Sequence, residues 1–194
     1  MSKRIALLTG SGHGRTAHAL LKESWCYEGD VVLVASSHAD SPVLQEAAKL
    51  GIQTAAIPKQ DSEAVLEREL AARGVDLLCL CGYMRLLSPD FVRRRPEGIL
   101  NVHPALLPAF PGKDPQAQAL AYGVRFSGTT IHFVTEGTDD GPIILQETCL
   151  VFDTDTLERL TDRLREASCR IYPQTIRIVS SGAYRLEGRK VVLL

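Results

Sequence analysis

Asn101 and His103 stand two positions apart at the end of an apolar run, Ile99-Leu100-Asn101-Val102-His103, with Pro104 and Pro108 close behind. In an extended segment residues i and i+2 project to the same side, so an amide and an imidazole converge on one small volume. The two prolines restrict the backbone that leaves the strand. A neutral amide donor beside an imidazole suits a reaction in which a carbonyl oxygen becomes negative, because the amide stabilises the charge while the ring donates and exchanges a proton. Asp139-Asp140-Gly141-Pro142 is a sharp acidic turn between two apolar segments. It is placed to bring a carboxylate to the imidazole, where it would favour the protonated ring. His132 lies on the segment that leads into the same turn and reads equally as a partner of the site or as a packing residue.

No nucleophile accompanies this set. There is no G-x-S-x-G, and Ser127-Gly128 precedes a strand rather than forming an elbow. The histidines are too scattered for a zinc signature, and no metal is expected. Cys79 and Cys81 share one strand face, but two small buried residues in a parallel strand account for them. The residues therefore describe an activated carbonyl attacked by an external nucleophile.

A second constellation lies near the N-terminus. Thr9-Gly10-Ser11-Gly12-His13-Gly14 follows the first apolar run and opens onto a helical pattern. Glycines at alternate positions let a backbone approach a ligand closely, and at a helix N-terminus the usual guest is a phosphate; a tight turn without a ligand is the alternative. Arg15, just inside the helix, opposes the helix dipole unless an anion lies beside it. The second strand ends in Ser36-Ser37-His38, without the acidic residue of a nicotinamide-binding fold.

The elements that position these residues alternate. Apolar strands are expected at Ile5–Leu8, Val31–Ala35, Thr54–Ile57, Val75–Cys81 and Ile99–Val102. Helices are expected at Arg15–Lys22, from Pro42 to about Leu50 with Ser41 as N-cap, at Ser62–Arg73 ended by Gly74, and at Gln116–Tyr122. Candidate strands at Gly128–Val134 and Ile143–Val151 should be antiparallel neighbours. A long helix, Thr156–Ser181, follows with Thr154 or Asp155 near its N-cap, and a hairpin around Glu187-Gly188-Arg189 comes last. Strands apolar on both faces and interleaved with helices predict an α/β fold: a Rossmann-like, mixed and mostly parallel sheet with helices on both faces, in one domain spanning residues 1–194.

Bulk composition excludes several classes. The chain has 194 residues, 45% of them hydrophobic, and 22 basic against 23 acidic residues. A net charge of -1 makes no electrostatic case for nucleic acid or an anionic membrane. The longest basic run, Arg93-Arg94-Arg95, reads as a solvated helix end. No apolar run reaches the roughly 18 residues of a membrane span, and no cleavage pattern precedes the first strand, so a cytoplasmic protein is expected. Composition leaves monomer and homodimer equally open.

Several motifs, in order, carry a family resemblance: Gly82-Tyr83-Met84-Arg85-Leu86-Leu87-Ser88, Leu100-Asn101-Val102-His103-Pro104-Ala105-Leu106-Leu107-Pro108, Phe110-Pro111-Gly112-Lys113-Asp114, Gly128-Thr129-Thr130-Ile131-His132-Phe133-Val134 and Asp139-Asp140-Gly141-Pro142-Ile143-Ile144. The chain resembles the folate-dependent formyltransferases from Ile5 to about Tyr184. The resemblance implies transfer of the formyl group of 10-formyltetrahydrofolate to the amine of glycinamide ribonucleotide in purine biosynthesis, without a metal. It implies that Asn101 and His103 stabilise the oxyanion and that Asp139 supports the histidine and moves protons, with Asp140 at a variable position. Met84, Arg85, Leu87, Phe91, Val92, Asn101, Val134 and Asp139 would hold the folate, with residues 134–139 as the opposing loop. Gly12, Gly14, Arg15, Thr16 and Arg165 would hold the acceptor and its phosphate.

Departures from the family pattern fall in the acceptor half. Arg15 and Thr16 stand where the family's glycine loop has serine and asparagine, and the second strand ends in Ser36-Ser37 rather than Ser-Asn. Ser168 and Cys169 replace a glutamate, which holds the acceptor's ribose, and a histidine; Arg165 falls where some members have a phosphate-binding lysine. A formyltransferase for a different amine, a hydrolase releasing formate from the same folate, and a non-catalytic folate-binding protein are the alternatives.

Overall fold

The computed structural model describes residues 2–10, 14–24 and 27–194. Gly12, a candidate for the acceptor's phosphate, lies outside the described residues, as does Cys26. The elements, in order, are β1 (Lys3–Thr9), α1 (Arg15–Lys22), β2 (Gly29–Ser36), α2 (Pro42–Lys49), β3 (Gln53–Ala56), α3 (Ser62–Ala72), β4 (Leu77–Cys81), α4 (Pro89–Arg93), β5 (Ile99–His103), α5 (Pro115–Tyr122), β6 (Phe126–Phe133), β7 (Ile143–Leu150), α6 (Leu157–Ser181), β8 (Tyr184–Glu187) and β9 (Lys190–Leu193).

Among the described residues the nine strands lie in one sheet of order β3-β2-β1-β4-β5-β6-β7-β9-β8. It is parallel from β3 to β5 and turns antiparallel at β6 and β7. Alternation along the central strands sorts their side chains into two cores. Ile5, Leu7, Leu77, Cys79 and Cys81 enter one, where they meet residues of α1, α2 and α6. Ala6, Leu8, Leu78 and Leu80 enter the other, against Leu66 and Leu70 of α3 and Phe91 and Val92 of α4. A sheet covered on both faces requires strands apolar throughout, as β1 and β4 are.

Strand order reverses between β1 and β4, the place where open α/β sheets leave a crevice at the carboxyl ends of their strands. The backbones meet closely there: a side chain at Gly10 would collide with the carbonyl oxygen of Gly82. Tyr172, fully buried on α6, ties the sheet beneath this crevice. Its hydroxyl lies 3.1 Å from the carbonyl oxygen of Leu80 and 3.2 Å from that of Leu100, so the helix is anchored to β4 and β5 at once. Cys79 and Cys81 are buried in the same core, and burial pushes both thiols well above their usual range.

Four local expectations are corrected. The side chain that caps α6 is Thr156, which accepts from the Arg159 N–H at 3.3 Å. Asp155 instead accepts two hydrogen bonds from Arg163, at 2.8 and 2.9 Å, and one from the Phe152 N–H. Ser41 occupies the N-cap position of α2, but its hydroxyl is buried and makes no cap bond. Arg95 is not a solvated helix end: it pairs with Glu67 through two hydrogen bonds and lies 4.3 Å over the Phe91 ring. Finally, β3 ends at Ala56, although the Ile57 N–H still bonds Ser36 O of β2 and the Ile57 side chain enters the core.

Candidate active site

Asn101 and His103 end β5 on one face. They stand opposite His132 and Thr130 of β6, so the antiparallel ladder places four polar side chains side by side. The segment leaving β5 is fixed by hydrogen bonds rather than by its prolines alone. Thr130 Oγ1 donates to Ala105 O at 2.6 Å and accepts from the Leu107 N–H at 3.0 Å, and the Gln146 amide donates to Leu107 O at 2.9 Å.

The turn after β6 delivers Asp139 with a positive φ of 52°, a conformation costly for a residue other than glycine and often kept where function needs it. Gly141 permits the turn, since a side chain there would strike the Phe133 carbonyl. Asp139 Oδ2 lies 3.2 Å from His103 Nδ1 and accepts the Gly112 N–H at 2.9 Å. Oδ1 faces Asn101 Nδ2 at 3.4 Å and His132 Nε2 at 3.6 Å. Burial opposes ionisation of this carboxyl, but hydrogen bonds from His103, His132 and the Gly112 N–H outweigh it and hold the group well below the usual carboxylate range.

Hydrogen-bond partners define the ring states. Nε2 of His103 faces the carbonyl oxygen of Phe110 at 2.8 Å, so it must donate. Nδ1 faces the Asp139 carboxylate, so both nitrogens meet acceptors, as a doubly protonated ring requires. His132 Nδ1 donates to Phe133 O at 2.9 Å, and Nε2 lies between the Asn101 amide nitrogen, at 3.3 Å, and the Asp139 carboxylate, at 3.6 Å. The amide nitrogen of Asn101 must point inward, since the opposite orientation would set its oxygen against the carboxylate. Both of its contacts are longer than ordinary N–H···O bonds, so the amide is loosely held.

Along β4's exit, Met84 is 71% exposed and Leu86 80% exposed, an apolar strip at the crevice mouth. Arg85 donates to Pro58 O at 2.8 Å. Leu87 and Val134 are half-buried and pack on the core that contains Phe91 and Val92. Phe91 itself is fully buried, so it supports this strip from beneath and presents no surface of its own. Ser88 organises the segment: it caps α4 through the Phe91 N–H and is gripped by both carboxylate oxygens of Glu63 at 2.6 Å.

At the opposite end of the crevice Gly14 takes a left-handed φ of 62° as the N-cap of α1. Arg15 and Arg165 come together on Asp162, at 2.5 and 3.1 Å, and Thr16 lies half-buried beside them. Ser168 is buried, pairs with Thr129 Oγ1 at 2.9 Å and donates to Leu164 O at 2.9 Å. The residues the sequence reading missed are Phe110, Gly112 and Asp162. The first two act through backbone groups, whose direction no residue type announces, although both lie in the Phe110-Pro111-Gly112 motif.

A crevice at the strand reversal, an Asn–His–Asp cluster on one side and a basic pair on the other describe an enzyme-like transfer site. Residues 3–176 match the family described as Formyl transferase, and the chain belongs to that family. It is 35% identical over 201 residues to the phosphoribosylglycinamide formyltransferase of Haemophilus influenzae, covering 98% of this chain and 93% of that protein. Glycinamide ribonucleotide transformylase 1 from Symbiobacterium toebii superposes with a TM-score of 0.93 at 42% identity, covering 99% of this chain and 94% of that one. The trifunctional purine biosynthetic protein adenosine-3 of Chironomus tentans is 37% identical over 199 residues. That match covers 96% of this chain, which spans only 14% of that longer protein.

Among the described residues no helix is long and apolar enough to cross a membrane.

Proposed function

We propose that residues 1–194 form one catalytic domain that transfers a formyl group from 10-formyltetrahydrofolate to the amine of glycinamide ribonucleotide, a step of purine biosynthesis. The observation that carries this reading is the convergence of Asn101 and His103 on the Asp139 carboxylate, at 3.4 and 3.2 Å, at the carboxyl end of β5. The names of the relatives support it.

The crevice suits the donor. Met84, Leu86 and Leu87 offer an apolar strip for a flat ring system, Arg85 a cation, and Val134 to Asp139 the facing loop. The donor supplies the formyl carbon, which the acceptor's amine attacks as the bond to the folate nitrogen breaks. Asn101, loosely held by its present partners, turns one N–H toward the formyl oxygen as charge gathers there. The protonated His103 ring stabilises the same charge, while Phe110 O and Asp139 fix its orientation. Asp139, ionised and hydrogen-bonded to the ring, orients a water that takes the proton the amine must lose and passes it to the leaving nitrogen. Gly14, Thr16, Arg15 and Arg165 hold the acceptor, the two arginines engaging its phosphate.

The test is a formyl-transfer assay with 10-formyltetrahydrofolate and a panel of amines. Efficient formylation of glycinamide ribonucleotide is expected. One observation favours a second reading, transfer to a different amine. Ser168, where the family has its ribose-holding glutamate, spends its hydroxyl on Thr129 and Leu164 O and is turned away from the crevice. No transfer to glycinamide ribonucleotide, with efficient transfer to another amine in the panel, would select that reading.

A further inference from the structure

Arg15 opens α1 and Arg165 belongs to α6, yet both guanidinium groups reach the same atom, Oδ1 of Asp162, at 2.5 and 3.1 Å. Asp162, Arg165 and Cys169 succeed one another at intervals of three and four along α6, so they share one face of the helix. Cys169 Sγ lies 3.8 Å from Arg15 O, which sets that face against the start of α1. Two cations on one anion leave a net positive charge at a helix N-terminus, where a cation opposes the dipole. An anion has to accompany Arg15 there, and in the free protein Asp162 is that anion.

The arrangement is exchangeable. The Arg15, Asp162 and Arg165 side chains are 55%, 43% and 48% exposed, so water can replace any one of the contacts. Exposed ion pairs of this kind contribute little to stability. A hydrogen bond from Arg15, reinforced by Arg165, keeps the Asp162 carboxyl below its usual range, so the side chain is an anion whenever the arginines are near. A phosphate dianion carries more charge than the carboxylate and enough oxygens to engage both guanidinium forks together.

We propose that Asp162 is the resident counter-anion of the acceptor site: it holds Arg15 and Arg165 in the free protein and is exchanged for the acceptor's phosphate on binding. This inference rests on the proposed assignment of Arg15 and Arg165 to that phosphate. It makes Asp162 a specificity determinant, because an acceptor lacking a dianionic group cannot displace it and meets a like charge instead.

Inorganic phosphate is the probe, titrated calorimetrically into the intact chain at constant ionic strength. Asp162→Asn is expected to bind phosphate at least about threefold more tightly than the unaltered chain, since a competing charge is removed. Arg15→Ala and Arg165→Ala are each expected to weaken binding. Asp162→Ser should behave like Asp162→Asn, which ties the gain to lost charge rather than to the new amide, and circular dichroism checks that α6 is retained. Phosphate affinity unchanged or lowered in both Asp162 variants overturns the proposal, as does binding indifferent to both arginine substitutions. The titration needs no turnover. A chain that shows the expected pattern but does not formylate glycinamide ribonucleotide keeps the Asp162 assignment and loses only the proposed reaction. A chain that formylates it without the pattern loses only the Asp162 assignment.

Discussion

The carboxylate of Asp139 and the imidazole of His103 approach to 3.2 Å, and the oxygen that makes this contact also accepts the Gly112 N–H at 2.9 Å. One loop therefore carries the carboxylate and a second loop holds it against the ring. Both loops must be in place before the ring has a fixed orientation, because Phe110, two residues before Gly112, accepts the other ring N–H at 2.8 Å.

If His103 acts on the reacting carbonyl, His103→Ala should leave folate binding largely intact while lowering kcat by about two to three orders of magnitude, the loss typical of one oxyanion donor. Asn101→Ala should fall in the same range. Fluorescence titration with a folate and steady-state assays separate the two effects. Near-normal turnover in His103→Ala would remove the ring from the mechanism.

Asp139 is held ionised far below the ordinary carboxylate range, so the sign of its pH effect is defined. Its contribution to stability is fully present above the unfolded-state value of about 4 and is lost as pH falls toward its depressed folded value. Urea unfolding of Asp139→Asn at several pH values should show a deficit at pH 7 that shrinks steadily below about pH 4. A deficit of constant size across that window would contradict this account.

Asp155 offers a second, purely structural case. Its side chain is 2% exposed and bound by both arms of Arg163, and the Arg163 hydrogen bonds hold its carboxyl at about 2. Asp155→Asn should cost roughly 1–3 kcal/mol at neutral pH, the range for losing charged hydrogen bonds. The cost should fade as pH drops from about 4 through about 2. Activity of the folded variant should stay close to that of the unaltered chain, since the partners of Asp155 are Arg163 and the Phe152 N–H and none of the site residues.

Gly141→Ala should be severe for its size. The added methyl meets the Phe133 carbonyl, which also accepts the His132 N–H at 2.9 Å. Relief requires moving the Asp139 turn or β6. A lowered Tm together with a large fall in kcat is expected; an unchanged kcat would show that the turn yields without displacing Asp139.

Much of the fold was legible because it rests on local pattern. Runs such as Ile5–Leu8 and Leu77–Cys81 have no polar face to show to water, so a doubly covered parallel sheet was the only arrangement that hides them. Pro42 and Gly74 mark helix ends through backbone preferences that tertiary contacts rarely override. The errors were of a different kind. Thr154 and Asp155 were reasonable caps for α6 by type, but Asp155 had a stronger partner in Arg163. Arg95 looked like a solvated charge until α3 supplied Glu67.

The same division runs through the site. By itself the sequence determined that Asn101 and His103 share a strand face, because that follows from the two-residue period of an extended chain. It also determined that Asp139 sits in a turn leading back toward them. Only the tertiary structure decided which atoms meet. It placed Asp139 Oδ2 on His103 Nδ1, set the Phe110 carbonyl on Nε2, turned Ser168 inward and gathered Arg15 and Arg165 on Asp162. These contacts join segments far apart in the chain, through backbone groups and through carboxylates that have several suitors each. Residue type names the suitors, and three-dimensional packing chooses among them.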